Sequence, residues 1–147
     1  MSAFSVVSGL VGIGDPNNPG NVLKPNADGG LGSGIASVFR LLSAAGTTQD
    51  ANNVKTTAGR VYYIHGRNNR ASSVFLKLYN KATAPAVGTD VPVDTIELIA
   101  SQPFIFDFPA GLAFTTGIGF GLVTAVADNS TASVTAGDIT ALGIGYT

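Results

Sequence analysis

The stretch RVYYIHGRNNRASSVFLKLYNK, Arg60 to Lys81, decides the fold class. Two runs rich in β-branched and aromatic residues flank a polar turn, GRNNRASS. That pattern predicts two antiparallel strands joined by a loop, a hairpin. In the second run Val74, Leu76 and Leu78 fall on one face, and Phe75, Lys77 and Tyr79 on the other. Period two sustained in this way predicts a sheet with one face on a core.

Further strands follow on either side. The stretch IASVFRLLSA carries Ile35, Val38, Phe39 and Leu42 at helical spacing, but it is short and has glycine on both sides. A strand over Ser37–Ser43 fits better with the strand-rich region that follows. A short strand is expected at Asn53–Thr57. Pro85 and Pro92 restrict the connector ATAPAVGTDVPVD to turns, extended chain or an edge strand. Asp94–Ala100 reads as a strand. PFIFDFP places Phe104, Phe106 and Phe108 on one face, a large share of a core.

From Ala110 to Val126 the chain reads as one further strand region. Ile118, Phe120, Leu122, Thr124 and Val126 share a face, and Gly117, Gly119 and Gly121 line the opposite one. The alternation returns at the end, where Leu142, Ile144 and Tyr146 alternate with Gly143 and Gly145. Glycine within a strand marks close approach of backbone or an aromatic ring. These five glycines are the candidates for a self-association face. DNSTASVTAGD reads as an exposed loop between them. The count is about eight strands with turn signals at sandwich spacing. The expectation is an all-β antiparallel sandwich, a jelly roll, over residues 35–147.

Residues 1–34 differ. GDPNNPGNVLKPNADGGLGSG concentrates Gly, Pro, Asn and Asp and cannot form a regular element alone. Before it come Phe4, Val6, Val7, Leu10, Val11 and Ile13. Two readings stand: a poorly ordered terminus, or an extended arm whose apolar tip lies on a neighbouring protein. GGLGSG lacks the strand, lysine and helix of a phosphate-binding loop and reads as a linker. The N-terminal stretch has no basic region and too short an apolar run to span a bilayer, so neither a signal peptide nor an anchor is expected.

Composition narrows the function classes. The chain has 147 residues, enough for a single domain with a genuine core. A net charge of -1 gives no electrostatic reason to expect nucleic acid or an anionic membrane as partner. With no cysteine, neither disulfides nor thiolate metal sites exist. His65 is the lone histidine and has no serine–carboxylate pattern around it, so it reads as a strand residue near the turn. Asp128, Asn129 and Ser130 have the residue types of a calcium ligand set but read first as a turn. No cofactor or metal is expected. Arg67 and Arg70 fall in the turn, where they are either solvated or in contact with a partner carboxylate.

Five pieces of the chain resemble a family encoded beside the major capsid protein genes of tailed bacteriophages. They are FRLLSAAGT (39–47), VKTTAGRVY (54–62), FLKLYNKATAPAVGTDVPV (75–93), FDFPAGLAFTTGIGFGLVTA (106–125) and the closing ALGIGY (141–146). Within the family they occur in this order. The resemblance covers roughly the last three quarters of the chain and leaves residues 1–34 unmatched. It implies a jelly-roll head decoration, or cement, protein on the outer surface of the virion capsid, made in the host cytoplasm. The implied partner is a major capsid protein of HK97-like fold, with the protein itself a dimer or trimer on the shell. Phe4, Val6, Val7, Leu10, Ile13, Arg67 and Arg70 are then the capsid-contact candidates. The alternative is a phage fibre or a receptor- or carbohydrate-binding module, for which Tyr62, Tyr63 and Tyr79 would supply the platform, although sugar platforms favour tryptophan. A β-sandwich hydrolase has no supporting residues.

Overall fold

The computed structural model describes residues 37–147. Eight strands make up nearly all of its regular structure: β1 (Ser37–Ser43), β2 (Asn52–Lys55), β3 (Gly59–Asn68), β4 (Val74–Asn80), β5 (Asp94–Leu98), β6 (Pro103–Phe114), β7 (Ile118–Val123) and β8 (Ile139–Tyr146). They form two four-stranded antiparallel sheets. Sheet I has the order β1-β8-β3-β6 and sheet II the order β2-β7-β4-β5. The all-β sandwich expected from the alternating runs is what the structure shows. The pairs are nested, with first against last: β1 on β8, β2 on β7, β3 on β6 and β4 on β5.

The nesting corrects the reading of Arg60–Lys81. β3 pairs with β6 and β8, whereas β4 pairs with β5 and β7. The two runs are therefore not a hairpin but an arch that carries the chain from sheet I to sheet II. A hairpin and an arch share strand composition and a polar turn, so periodicity does not separate them. What separates them is Asn68. Its side chain is fully buried and donates to the carbonyls of Ser72 (3.1 Å) and Leu98 (2.8 Å), while its oxygen accepts from the Arg70 amide (2.9 Å). One amide thus fixes the turn and ties it to the end of β5. Ala110–Val126 is likewise not one strand. Its first residues complete β6, a turn at Thr115–Gly117 follows, and β7 begins the other sheet. Asn80 secures that turn, donating to Thr115 Oγ1 and accepting from the Thr116 amide, both at 2.8 Å. Val126 lies beyond β7 and is exposed.

The core lies between the sheets. Ile64, Leu76, Leu78, Leu98, Ile118, Phe120, Leu122, Ile139, Leu142 and Ile144 are fully buried there. Each such side chain contributes about 1.5–3 kcal/mol relative to exposure. Phe39 from β1 meets Phe120 edge-on, with ring centroids 5.5 Å apart. Phe104, Phe106 and Phe108 do face this core, but they are only half-buried because β6 is an edge strand. That edge is blunted by Pro103, Pro109 and an irregularity in the β3–β6 register, where Gly111 has φ +72°. Arg60 donates to the Ala110 and Gly111 carbonyls there, both at 2.9 Å.

Candidate interaction surfaces

The two outer faces of the sandwich differ. Sheet II carries a second cluster on its outer side, in which Tyr79, Val87 and Val123 pack with Ala51 and Phe75. The β4–β5 connector supplies the cover. Its Pro85 and Val87 are buried, and the Lys81–Asp90 ion pair clips its two ends. Asp90 also accepts from the Ala86 amide at 2.7 Å. These hydrogen bonds, that of Lys81 first, hold the Asp90 carboxyl below its usual range.

The connector fits because three glycines make room for it. A Cβ at Gly117 would lie 2.5 Å from the Lys81 carbonyl, at Gly121 2.5 Å from Val87 Cγ2, and at Gly119 3.2 Å from Pro85 Cδ. The close approach expected at these positions is real, but the approaching surface is the chain's own. Gly117, Gly119 and Gly121 are buried and present nothing to a second copy, which corrects their reading as self-association residues.

Two polar side chains are buried on the same side of sheet II. Lys77 is fully buried and donates to the Ala127 (2.5 Å) and Asp128 (3.0 Å) carbonyls of the β7–β8 loop. Burial lowers its pKa, with the Asp128 charge acting in the opposite direction. Tyr79 is 1% exposed and its hydroxyl has no hydrogen-bond partner. Burial first, then the Asp90 and Asp128 charges, push it up to about 12. Tyr79 is thus removed from the set of surface platform residues.

Sheet I leaves its outer face open among the described residues. The register lays out two rows across four strands: Val38–Gly145–Tyr63–Asp107 and Arg40–Gly143–His65–Ile105. The rings of Tyr63 and His65 lie over Gly145 and Gly143, so close that a Cβ at either glycine would overlap them. The two rings stack on one another, 5.7 Å between centroids. Gly143 and Gly145 are therefore also buried by their own chain, and what faces outward is a low aromatic centre. Around it stand exposed apolar side chains, Val38 (50%), Leu42 (70%) and Ile105 (68%). Arg40 and Asp107 are exposed at opposite edges, β1 and β6.

The arch end holds the two candidate arginines. Arg67 lies next to the end of β3 and donates to Asn69 Oδ1 (3.0 Å) and the Ser101 carbonyl (3.4 Å). Arg70 pairs with Asp138 at 2.9 Å and donates to Ser72 Oγ at 2.8 Å. Both cations are engaged within the chain. Arg67 stays exposed and accessible to a partner, whereas Arg70 is half-buried in its pair. The remaining capsid-contact candidates, Phe4, Val6, Val7, Leu10 and Ile13, lie outside the described residues, as does the GGLGSG run.

Asp128, Asn129 and Ser130 form a turn closed by the Ser130 amide on the Ala127 carbonyl (2.8 Å). Among the described residues no group of three His, Cys, Asp or Glu side chains is placed to bind a metal. A cleft of about 330 Å³ beside β6 is lined by Ile99, Phe104, Ile105 and Phe106, with Glu97 and Gln102 at its polar margin. Asn68 and Lys77 are two of the three buried polar residues among the described ones that sequence reasoning missed, Asp50 being the third. A signal existed for the first two. Asn68 continues the core-facing parity of Ile64, and Lys77 interrupts an aromatic face between Phe75 and Tyr79. No family model, curated protein or solved structure matches the chain.

Proposed function

We propose that this chain is a structural decoration protein that binds the outer surface of a phage head and reinforces it by bridging adjacent major capsid subunits. The observation that carries the reading is the nested strand order β1-β8-β3-β6 over β2-β7-β4-β5, which supports the jelly roll that the motif resemblance implies. The asymmetry of the sandwich supports it. Sheet II is covered on both faces by its own chain, while sheet I offers, among the described residues, a broad, sparsely charged face suited to lying on another protein. A cement protein works by linkage. It binds the assembled shell and not its dissociated subunits, and so shifts the equilibrium toward assembly. Copies repeated over a symmetric lattice add avidity to a modest single contact.

The test is to mix the purified protein with heads that lack it and, separately, with host cell-surface glycans. Saturable co-sedimentation with heads is the expected result. Binding to glycans alone would replace this reading with a receptor-binding module.

A further inference from the structure

The outer face of sheet I is self-complementary in charge. Arg40 stands on edge strand β1 and Asp107 on edge strand β6, in adjacent rows of the register. Neither side chain makes a hydrogen bond or ion pair within the described residues. Three strand spacings separate them, about 14 Å, too far for a pair inside one copy. Between them lie the flat Tyr63 and His65 rings and the exposed Val38, Leu42 and Ile105 side chains.

We propose that this face is the contact between two copies of the chain, packed sheet on sheet about a two-fold axis that runs along the strands between β8 and β3. Such an axis places β1 of one copy over β6 of the other. It sets Arg40 diagonally across from the partner's Asp107, and by symmetry Asp107 across from the partner's Arg40. It also brings the Tyr63 and His65 rings of the two copies to the middle of the contact, each pair resting on its own Gly145 and Gly143. Twisted sheets pack face to face at about 10 Å with their strands nearly aligned, and rings that lie against the glycines of their own sheet suit that spacing. One isologous contact satisfies both unpaired charges and covers the exposed apolar side chains, as two-fold symmetry requires of a self-complementary patch.

The size of the face sets the strength. Four strands about 4.8 Å apart and about six residues long span ~400 Å² per copy. Two copies bury ~800 Å², below the ~1,200 Å² at which stable interfaces begin. The free protein is therefore a weak dimer, with dissociation in the micromolar range or above. On a surface that holds copies side by side, the same contact would close at a high local concentration. The inference does not depend on the capsid reading, and its test contains no heads.

The experiment is sedimentation velocity of the full chain from micromolar to millimolar concentration, on the parent, Arg40→Glu, Asp107→Arg and the double charge exchange. Thermal melts of each variant establish that the fold is kept. The parent is expected to dimerise with rising concentration. Each single reversal places like charges together twice and is expected to weaken the dimer at least tenfold. The double exchange restores opposite charges and is expected to recover the parent's association. A parent that stays monomeric throughout overturns the proposal. So does association that the single reversals leave unchanged, or a loss that the double exchange fails to repair.

Discussion

Asn68→Ala removes the side chain that turns β3 out of sheet I. Three hydrogen bonds go with it, at 2.8, 2.9 and 3.1 Å, and the site is fully buried. A net value of about 1 kcal/mol per bond gives about 3 kcal/mol. For a chain of this size that corresponds to a fall in Tm of roughly 6–12 °C. Urea unfolding at equilibrium is the assay, and an unchanged m-value would place the loss in the native state. Asn68→Asp sharpens the test. A carboxylate keeps the acceptor for the Arg70 amide but turns negative oxygen toward the Ser72 and Leu98 carbonyls. Its folded pKa is then raised above the unfolded value of about 3.9. A raised pKa means that stability is fullest below the unfolded pKa and is lost as pH rises through the folded one. The Asp variant should therefore be closer to the parent in mild acid than at neutral pH. An Ala variant within about 0.5 kcal/mol of the parent would refute the account of the arch, since a loss that small is less than one net hydrogen bond.

Four other outcomes are expected. Phe106→Ala should cost about 2 kcal/mol by denaturant unfolding, less than the 3–5 kcal/mol of a fully buried phenylalanine, because β6 leaves the ring half-exposed. Gly117→Ala should cost about 2–3 kcal/mol, since its Cβ meets backbone at Lys81, Ala82 and Lys55 at under 3 Å, and Gly119→Ala under 1 kcal/mol, since its Cβ comes no closer than 3.2 Å to the Pro85 ring and 3.4 Å to the Asn52 carbonyl; a reversed order in calorimetry would contradict the cover over sheet II. Tyr79→Phe removes an unpaired buried hydroxyl and should be neutral or stabilising at pH 7; because the folded tyrosine is raised to about 12, the parent loses stability as pH rises from about 10, a loss the variant lacks, while the lowered pKa of Lys77 acts in the opposite sense below about 10.5. Deleting residues 1–34 should leave the unfolding midpoint nearly unchanged, because the sandwich is a compact unit by itself, and should weaken head binding tenfold or more, about 1.4 kcal/mol.

The sandwich was legible because alternation is written by burial. Val74, Leu76 and Leu78 fall on one core, and Phe75 and Tyr79 on the second cluster, as their parity requires. Ser37–Ser43 reads as a strand for the same reason, with Phe39 and Leu41 turned inward. Strand pairing was not legible at the arch. Whether β4 folds back on β3 or crosses to the other sheet depends on where a single asparagine finds its partners, and those lie at Ser72 and at Leu98, 30 residues away. The glycine faces carried half of their meaning. Period-two glycine announces close approach, but it does not say whether the approaching group belongs to the same chain. At Gly119 and Gly121 it is a proline-rich connector that the sequence marks only as irregular, and at Gly143 and Gly145 it is two rings from the adjacent strand. The face of sheet I that is open among the described residues emerges only after the outer face of sheet II is seen to be covered.

Heads lacking this protein offer the most direct test of the cement reading. Their disruption would be followed by light scattering during a thermal ramp, with and without saturating protein. The account predicts a rise in the disruption midpoint that saturates at a fixed number of copies per capsid subunit and grows with occupancy, as linkage requires. An unchanged midpoint at full occupancy would show that the protein rides on the shell without reinforcing it, and an absence of saturable binding would show that the shell is not its partner.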